Sequence, residues 1–161
     1  MRQDLREVVP VDKRNKTVNE IKKEYLWRYQ ECVRRIRRIN AEIPEIRSMK
    51  MGIAINNDGM PHGSGQNDLS GYAAELDKLE RELTDERYTR IIIYKDIKKR
   101  IDKLKSTNEK DVLFYRYIKG MDWWEVAEKM NYSERWTHKL HGKALAHLEI
   151  PKEFIEVQSN M

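Results

Sequence analysis

The sequence predicts an all-α protein: a long antiparallel helical hairpin, coiled-coil-like in its pairing, followed by three short helices. Two observations carry that reading. The first two thirds hold two apolar stripes at intervals of three and four residues, the period of an amphipathic helix. The last third holds helical patterns separated by short breaks, each with its own start signal.

The first stripe runs Val18, Ile21, Tyr25, Tyr29, Cys32, Ile36, Ile39, Ile43 and Ile46. Thr17, with Glu20 three residues on, is the expected cap. Pro44 falls inside the pattern, and a helix is expected to kink or end there. The second stripe runs Leu69, Tyr72, Leu76, Leu79, Leu83, then Ile91, Tyr94, Ile97, Ile101 and Leu104. Arg87 and Arg90 interrupt it, and a shift of register is expected at that point. Between the stripes, residues 51–68 contain Gly52, Gly59, Gly63 and Gly65, the composition of a long loop. The hairpin domain is thus 1–105. A single hairpin buries little, so its apolar faces call for a further partner. A homodimer is the expected one, and packing against the C-terminal module is the alternative.

Residues 106–150 form the second domain. Its first helix is expected to be capped by Asn108, with Asp111 three residues later and Gly120 past its end. Asp122 and Glu125 have capping-box spacing at the start of the second helix, whose inner face is Trp123, Val126, Ala127 and Met130. Asn131 suits the left-handed turn that follows. Ser133 caps the third helix, with Thr137, Leu140, Ala144, Leu145 and Leu148 inside. A small Ala127 at the crossing, a tight turn and a third helix describe a helix-turn-helix. Such a module commonly lays its last helix in the major groove of double-stranded DNA.

On that reading the DNA-binding candidates are Glu134, Arg135, His138, Lys139 and Lys143, with His141 also expected outward. Arg and Lys suit guanine edges or phosphates, and Glu can accept from cytosine. Trp124 and Trp136 lie beside the buried stripes, where they pack inward, cover a protein partner or press against sugar and base. The net charge of +5 is uneven: residues 13–50 hold twelve Lys+Arg against five Asp+Glu. Within that stretch Arg34, Arg35, Arg37 and Arg38 are either phosphate contacts or a solvated face balanced by Glu80, Glu82 and Glu86.

The stretch RYIKGMDWWEVAEKMNYSERWTHKLHGKAL resembles the C-terminal module of small phage-encoded regulators with a sigma-70 region-4-like fold. These are late-transcription activators of the ArpU and RinA types and a related uncharacterised phage protein family. SMKMGIAINNDGMPHGSGQNDL resembles the Met-Pro–Gly-Ser-Gly–Asp linker of that last family. The resemblance extends from about Lys22 to Leu148. It implies a sequence-specific transcriptional activator in a bacterial host, with promoter DNA and bacterial RNA polymerase as partners. Glu134, Arg135, His138 and Lys139 align with DNA-facing positions of region-4 modules. Trp124 and Trp136 stand where those relatives carry polar residues. Two rival functions share the architecture: a DNA-packaging adaptor of the small-terminase kind, and a polymerase-binding protein that does not read DNA.

Composition narrows the class further. With 37% charged and 39% hydrophobic residues, the chain has no run near the ~20 apolar residues of a membrane span. MRQDLREVVPVDKRNK lacks the apolar core of a signal peptide, and the one cysteine, Cys32, fits a reducing cytoplasm. No enzymatic constellation is present. His62, His138, His141 and His147 lack cysteines or carboxylates at metal-ligand spacing, so no metal or cofactor is expected. The glycines match no phosphate-cradling loop. After Leu148, Pro151 is expected to stop the helix and leave 151–161 as a flexible tail.

Overall fold

The computed structural model describes residues 16–55 and 65–159. The first fifteen residues, the centre of the Gly-rich loop at 56–64 with His62, and residues 160–161 lie outside the described residues. Among those described, the chain is helical without strands. The helices are α1 (Val18–Ile55), α2 (Gly65–Asp102), α3 (Thr107–Leu113), α4 (Trp123–Met130), α5 (Glu134–His147) and α6 (Lys152–Ser159).

α1 and α2 pair antiparallel. Tyr25 meets Asp96, Tyr29 meets Arg90, Cys32 meets Glu86 and Arg47 meets Glu80, so one helix ascends as the other descends. At 38 residues each is ~57 Å long. Thr17 and Glu20 cap α1 reciprocally, as its sequence predicts. α1 does not end at Pro44. A proline inside a helix costs about 3 kcal/mol. Ile39 and Ile43 on one side of it, and Ile46 on the other, pack against Leu76, Leu79 and Leu83, and that burial holds both sides helical. The ends of the expected loop are helical too, since α1 reaches Ile55 and α2 begins at Gly65.

The expected register shift in α2 does not occur. Its seam continues through Leu79, Leu83, Glu86, Arg90, Ile93 and Ile97, with polar residues holding the middle positions. Cys32 donates to Glu86, Arg35 donates to the same carboxylate at 2.8 Å, and Arg90 donates to the Tyr29 hydroxyl at 3.0 Å. Ile91 and Val18, expected inside, are about half exposed.

The C-terminal helices pack directly on one end of the hairpin. One apolar cluster joins Ile21, Tyr25, Leu26, Ile97 and Ile101 of the hairpin to Val112, Leu113, Val126, Leu145 and Leu148. The two expected domains therefore share a core, which is the alternative partner of the hairpin's apolar face. Ser106, rather than Asn108, caps α3 by accepting from the Glu109 amide. Asn108 instead donates to the Tyr132 hydroxyl. α3 widens over Phe114–Ile118, where the Lys119 amide reaches back five residues to the Phe114 carbonyl. Gln30 donates to the Tyr117 and Ile118 carbonyls of that wide turn, at 3.2 and 2.7 Å. Gly120 follows with φ 70, and a Cβ there would lie 2.8 Å from the Gln30 side chain. The turn thus needs glycine for conformation and for space.

The segment expected as a flexible tail is corrected by α6. Pro151 precedes the helix instead of ending structure, and Phe154 inserts edge-on against Tyr25 at 5.2 Å. Arg28 covers both rings and donates to Asp96. An apolar pair, Phe154 and Ile155, gives the segment something to bury.

Candidate nucleic-acid interface

α4 and α5 form the helix-turn-helix pair. Asp122 and Glu125 exchange backbone hydrogen bonds as a capping box. Asn131 takes φ 57, ψ 42, the left-handed conformation that ends α4. Ser133 then accepts from the Trp136 amide and starts α5. These three devices set the turn, and packing sets the crossing. Val126 and Ala127 are buried on α4. Thr137, Leu140, Ala144 and Leu145 are buried on α5.

Aromatic rings fix the angle further. Trp123 lies 4.3 Å from the His138 ring and 4.8 Å, edge-on, from His141. Arg116 sits between Trp123 and Trp27, and donates to the Met121 carbonyl at 2.7 Å. At the far end of α5, Lys22 donates to the Leu145 carbonyl at 2.7 Å, satisfying one of the acceptors a helix C-terminus leaves open. His147 contacts the buried Glu109 carboxylate at 2.9 Å and ties α5 to α3.

His141 departs from its expected place. It is buried, its Nε2 lies 2.9 Å from the Tyr117 hydroxyl, and burial pushes its pKa down to about 4, helped by the nearby positive charge of Lys23, His138 and Arg116. It is a neutral core group, not an outward one. The signal was present: position 141 stands four residues after Thr137 and four before Leu145, on the same stripe.

Glu134, Arg135, His138, Lys139 and Lys143 are all exposed on α5. Trp136, 43% exposed, stands among them, with the ammonium groups of Lys139 and Lys143 over its ring at 5.4 and 5.6 Å. Its ring also meets Tyr132 at 6.5 Å. Trp124 is 57% exposed at the start of α4. Neither tryptophan is a core residue. Gly142, on α5 between Lys139 and Lys143, has open space around it, so the helix surface there is low.

The arginine run divides. Arg35 is held by Glu86, while Arg34, Arg37 and Arg38 are exposed on α1 without an ion pair among the described residues. The run begins ~18 Å along α1 from Lys22, which touches α5. Among the described residues no group of three or more His, Cys, Asp or Glu side chains is placed to hold a metal ion, and no helix is long and apolar enough to cross a membrane.

Among the described residues the chain is all-α, a long helical hairpin with a set of shorter helices packed on one end. Residues 72–149, from early in α2 to just past α5, match the model of a family described as "Protein of unknown function (DUF1492)". No curated protein and no solved structure matches the chain.

Proposed function

We infer that the chain is a sequence-specific DNA-binding regulator that reads double-stranded DNA with α5. The carrying observation is the division of α5 into two faces. One is buried on α3, α4 and the hairpin, and the other presents Arg135, His138, Lys139 and Lys143 to solvent with a single acid, Glu134. A cationic helix held rigidly by its opposite face suits the major groove, where arginine and lysine donate to guanine edges or phosphates. Lys+Arg exceed Asp+Glu by only seven to six over residues 106–148, so affinity rests on placement more than on bulk charge. The resemblance to phage late-transcription activators supports a role at a promoter beside bacterial RNA polymerase.

The exposed Trp124 and Trp136 favour a second reading, a protein contact such as a polymerase surface, since partly exposed tryptophans are frequent anchors of interfaces. The test recovers and sequences fragments of the source genome retained by the full chain at ~150 mM salt, a concentration at which unspecific phosphate contacts are weak. Discrete peaks are expected. Arg135→Ala is expected to lower preference for the recovered site by about 10–100-fold, the loss of one base contact. Uniform recovery, or peaks unchanged in that variant, removes α5 as the reading helix.

A further inference from the structure

A groove of about 360 Å³ lies where α1, α2 and the wide turn before α4 meet. Arg37 of α1, Arg90 of α2 and Lys119 from the end of the turn converge on it, and no carboxylate among the described residues lines it. Three cations from three separate elements are costly to hold together without a counter-charge. Among the described residues no acid lines the groove: Glu86, four residues before Arg90, is engaged by Arg35 and Cys32, and Asp122, three residues after Lys119, faces Arg116 at 3.8 Å. Arg90 is oriented rather than free. Its Nε donates to the Tyr29 hydroxyl at 3.0 Å and its guanidinium lies 5.4 Å from that ring. Both terminal nitrogens are left for a two-pronged acceptor. The Gln30 amide, which also lines the groove, fixes the turn that carries Lys119.

We propose that this groove binds a phosphate group, clamped by Arg37, Arg90 and Lys119. A planar guanidinium held at one edge matches phosphate geometry, and flexible cations on either side complete the charge. Two sources carry this chemistry: a nucleic-acid backbone and a free phosphate ligand. The backbone source rests on the DNA-binding reading. Lys119 stands three residues before the Asp122 cap of α4, the helix that in such modules crosses the DNA backbone. The hairpin would then hold a phosphate beside the site read by α5.

Arg37→Gln with Lys119→Gln removes two exposed side chains that have no ion pair among the described residues, so the fold is expected to persist, as unchanged helical circular dichroism and melting would show. Pyrophosphate titrated into the full chain at low salt is expected to bind at least about tenfold more weakly to the double variant. On DNA, the slope of log affinity against log salt should shrink by about 0.9 for each lost phosphate contact, with site preference unchanged. A smaller slope assigns the backbone source. Weaker pyrophosphate binding with an unchanged slope, or with a wild type that ignores DNA, assigns a free phosphate ligand and leaves the groove standing. Arg90→Lys, which keeps charge but loses the fork, is expected to weaken either readout. If neither pyrophosphate binding nor salt slope distinguishes the variants from wild type, the groove is not a phosphate site.

Discussion

At its inner end the α1–α2 hairpin is buried from two sides, and at its outer end from one. Near Tyr25 and Ile97 each helix meets its partner and also the C-terminal module, so Leu26, off the paired seam, is fully buried. Beyond Cys32 the seam narrows to Ile36, Ile39, Ile43, Leu79 and Leu83, with nothing else described behind it. A coiled-coil stripe alone supports a pair of helices. A second layer turns the inner half into a platform on which α5 is held, and rigid placement is what a reading helix requires.

The largest way to break this contrast is to cut equal volumes from the two cores. Leu113→Ala, at a fully buried site shared by module and hairpin, is expected to cost about 4 kcal/mol. Ile36→Ala, near the seam's edge at 7% exposure, should cost about 2 kcal/mol, because helices there can close the gap or admit water. Urea unfolding of both variants measures the difference. Equal losses would mean that the outer half is buried as deeply as the inner, for instance by a second copy.

Acid should separate the halves next. Unfolded, His141 titrates near 6.5, while in the fold it titrates at about 4. Between those values the unfolded chain binds more protons, so the contribution of the neutral ring is complete above pH 6.5 and is lost as pH falls to 4. The loss is about 3 kcal/mol at most. In the outer half, Arg35 and Cys32 hold the Glu86 carboxyl below its ordinary range of 4.5, so its contribution survives until the pH drops below that. Melting between pH 7 and 4.5 should therefore report the module, and His141→Gln should flatten the profile. An unchanged profile in that variant would assign the acid sensitivity elsewhere.

The same contrast explains what could be read from the sequence. Both long stripes and all the devices of the α4–α5 turn were legible, because period, caps and the left-handed Asn131 are local properties. Ile91 was misplaced because Glu86 and Arg90 occupy seam positions, and an apolar neighbour off the seam then looks like the better core residue. Leu26 and Gln30 were invisible for a different reason. Gln30 bonds to carbonyls 87 and 88 residues away, and Leu26 lies in the cluster shared with a module whose docking no periodicity encodes. Of the candidate site, exposure on α5 was legible, and His141 was not separated from it because its polar ring masked a core position. The phosphate groove has no linear signature at all, since each of its three cations comes from a different element.

The smallest effect sharpens the account of the outer half. Arg47 and Glu80 join α1 to α2 at 3.0 Å, but both side chains are about half exposed. Water screens such a pair, and ordering two long side chains offsets most of its attraction. Arg47→Gln is therefore expected to change stability by no more than about 0.5 kcal/mol, against about 2 for Ile36→Ala on the same helix. Unfolding of Arg47→Gln, set beside Ile36→Ala, tests whether apolar seam or surface charge holds this part of the hairpin. A loss above 1 kcal/mol would mean that the pair is dehydrated in solution, and the simplest way to dehydrate it is to cover it. The outer half would then be an interface, and the contrast between the two ends would be a property of the isolated chain alone.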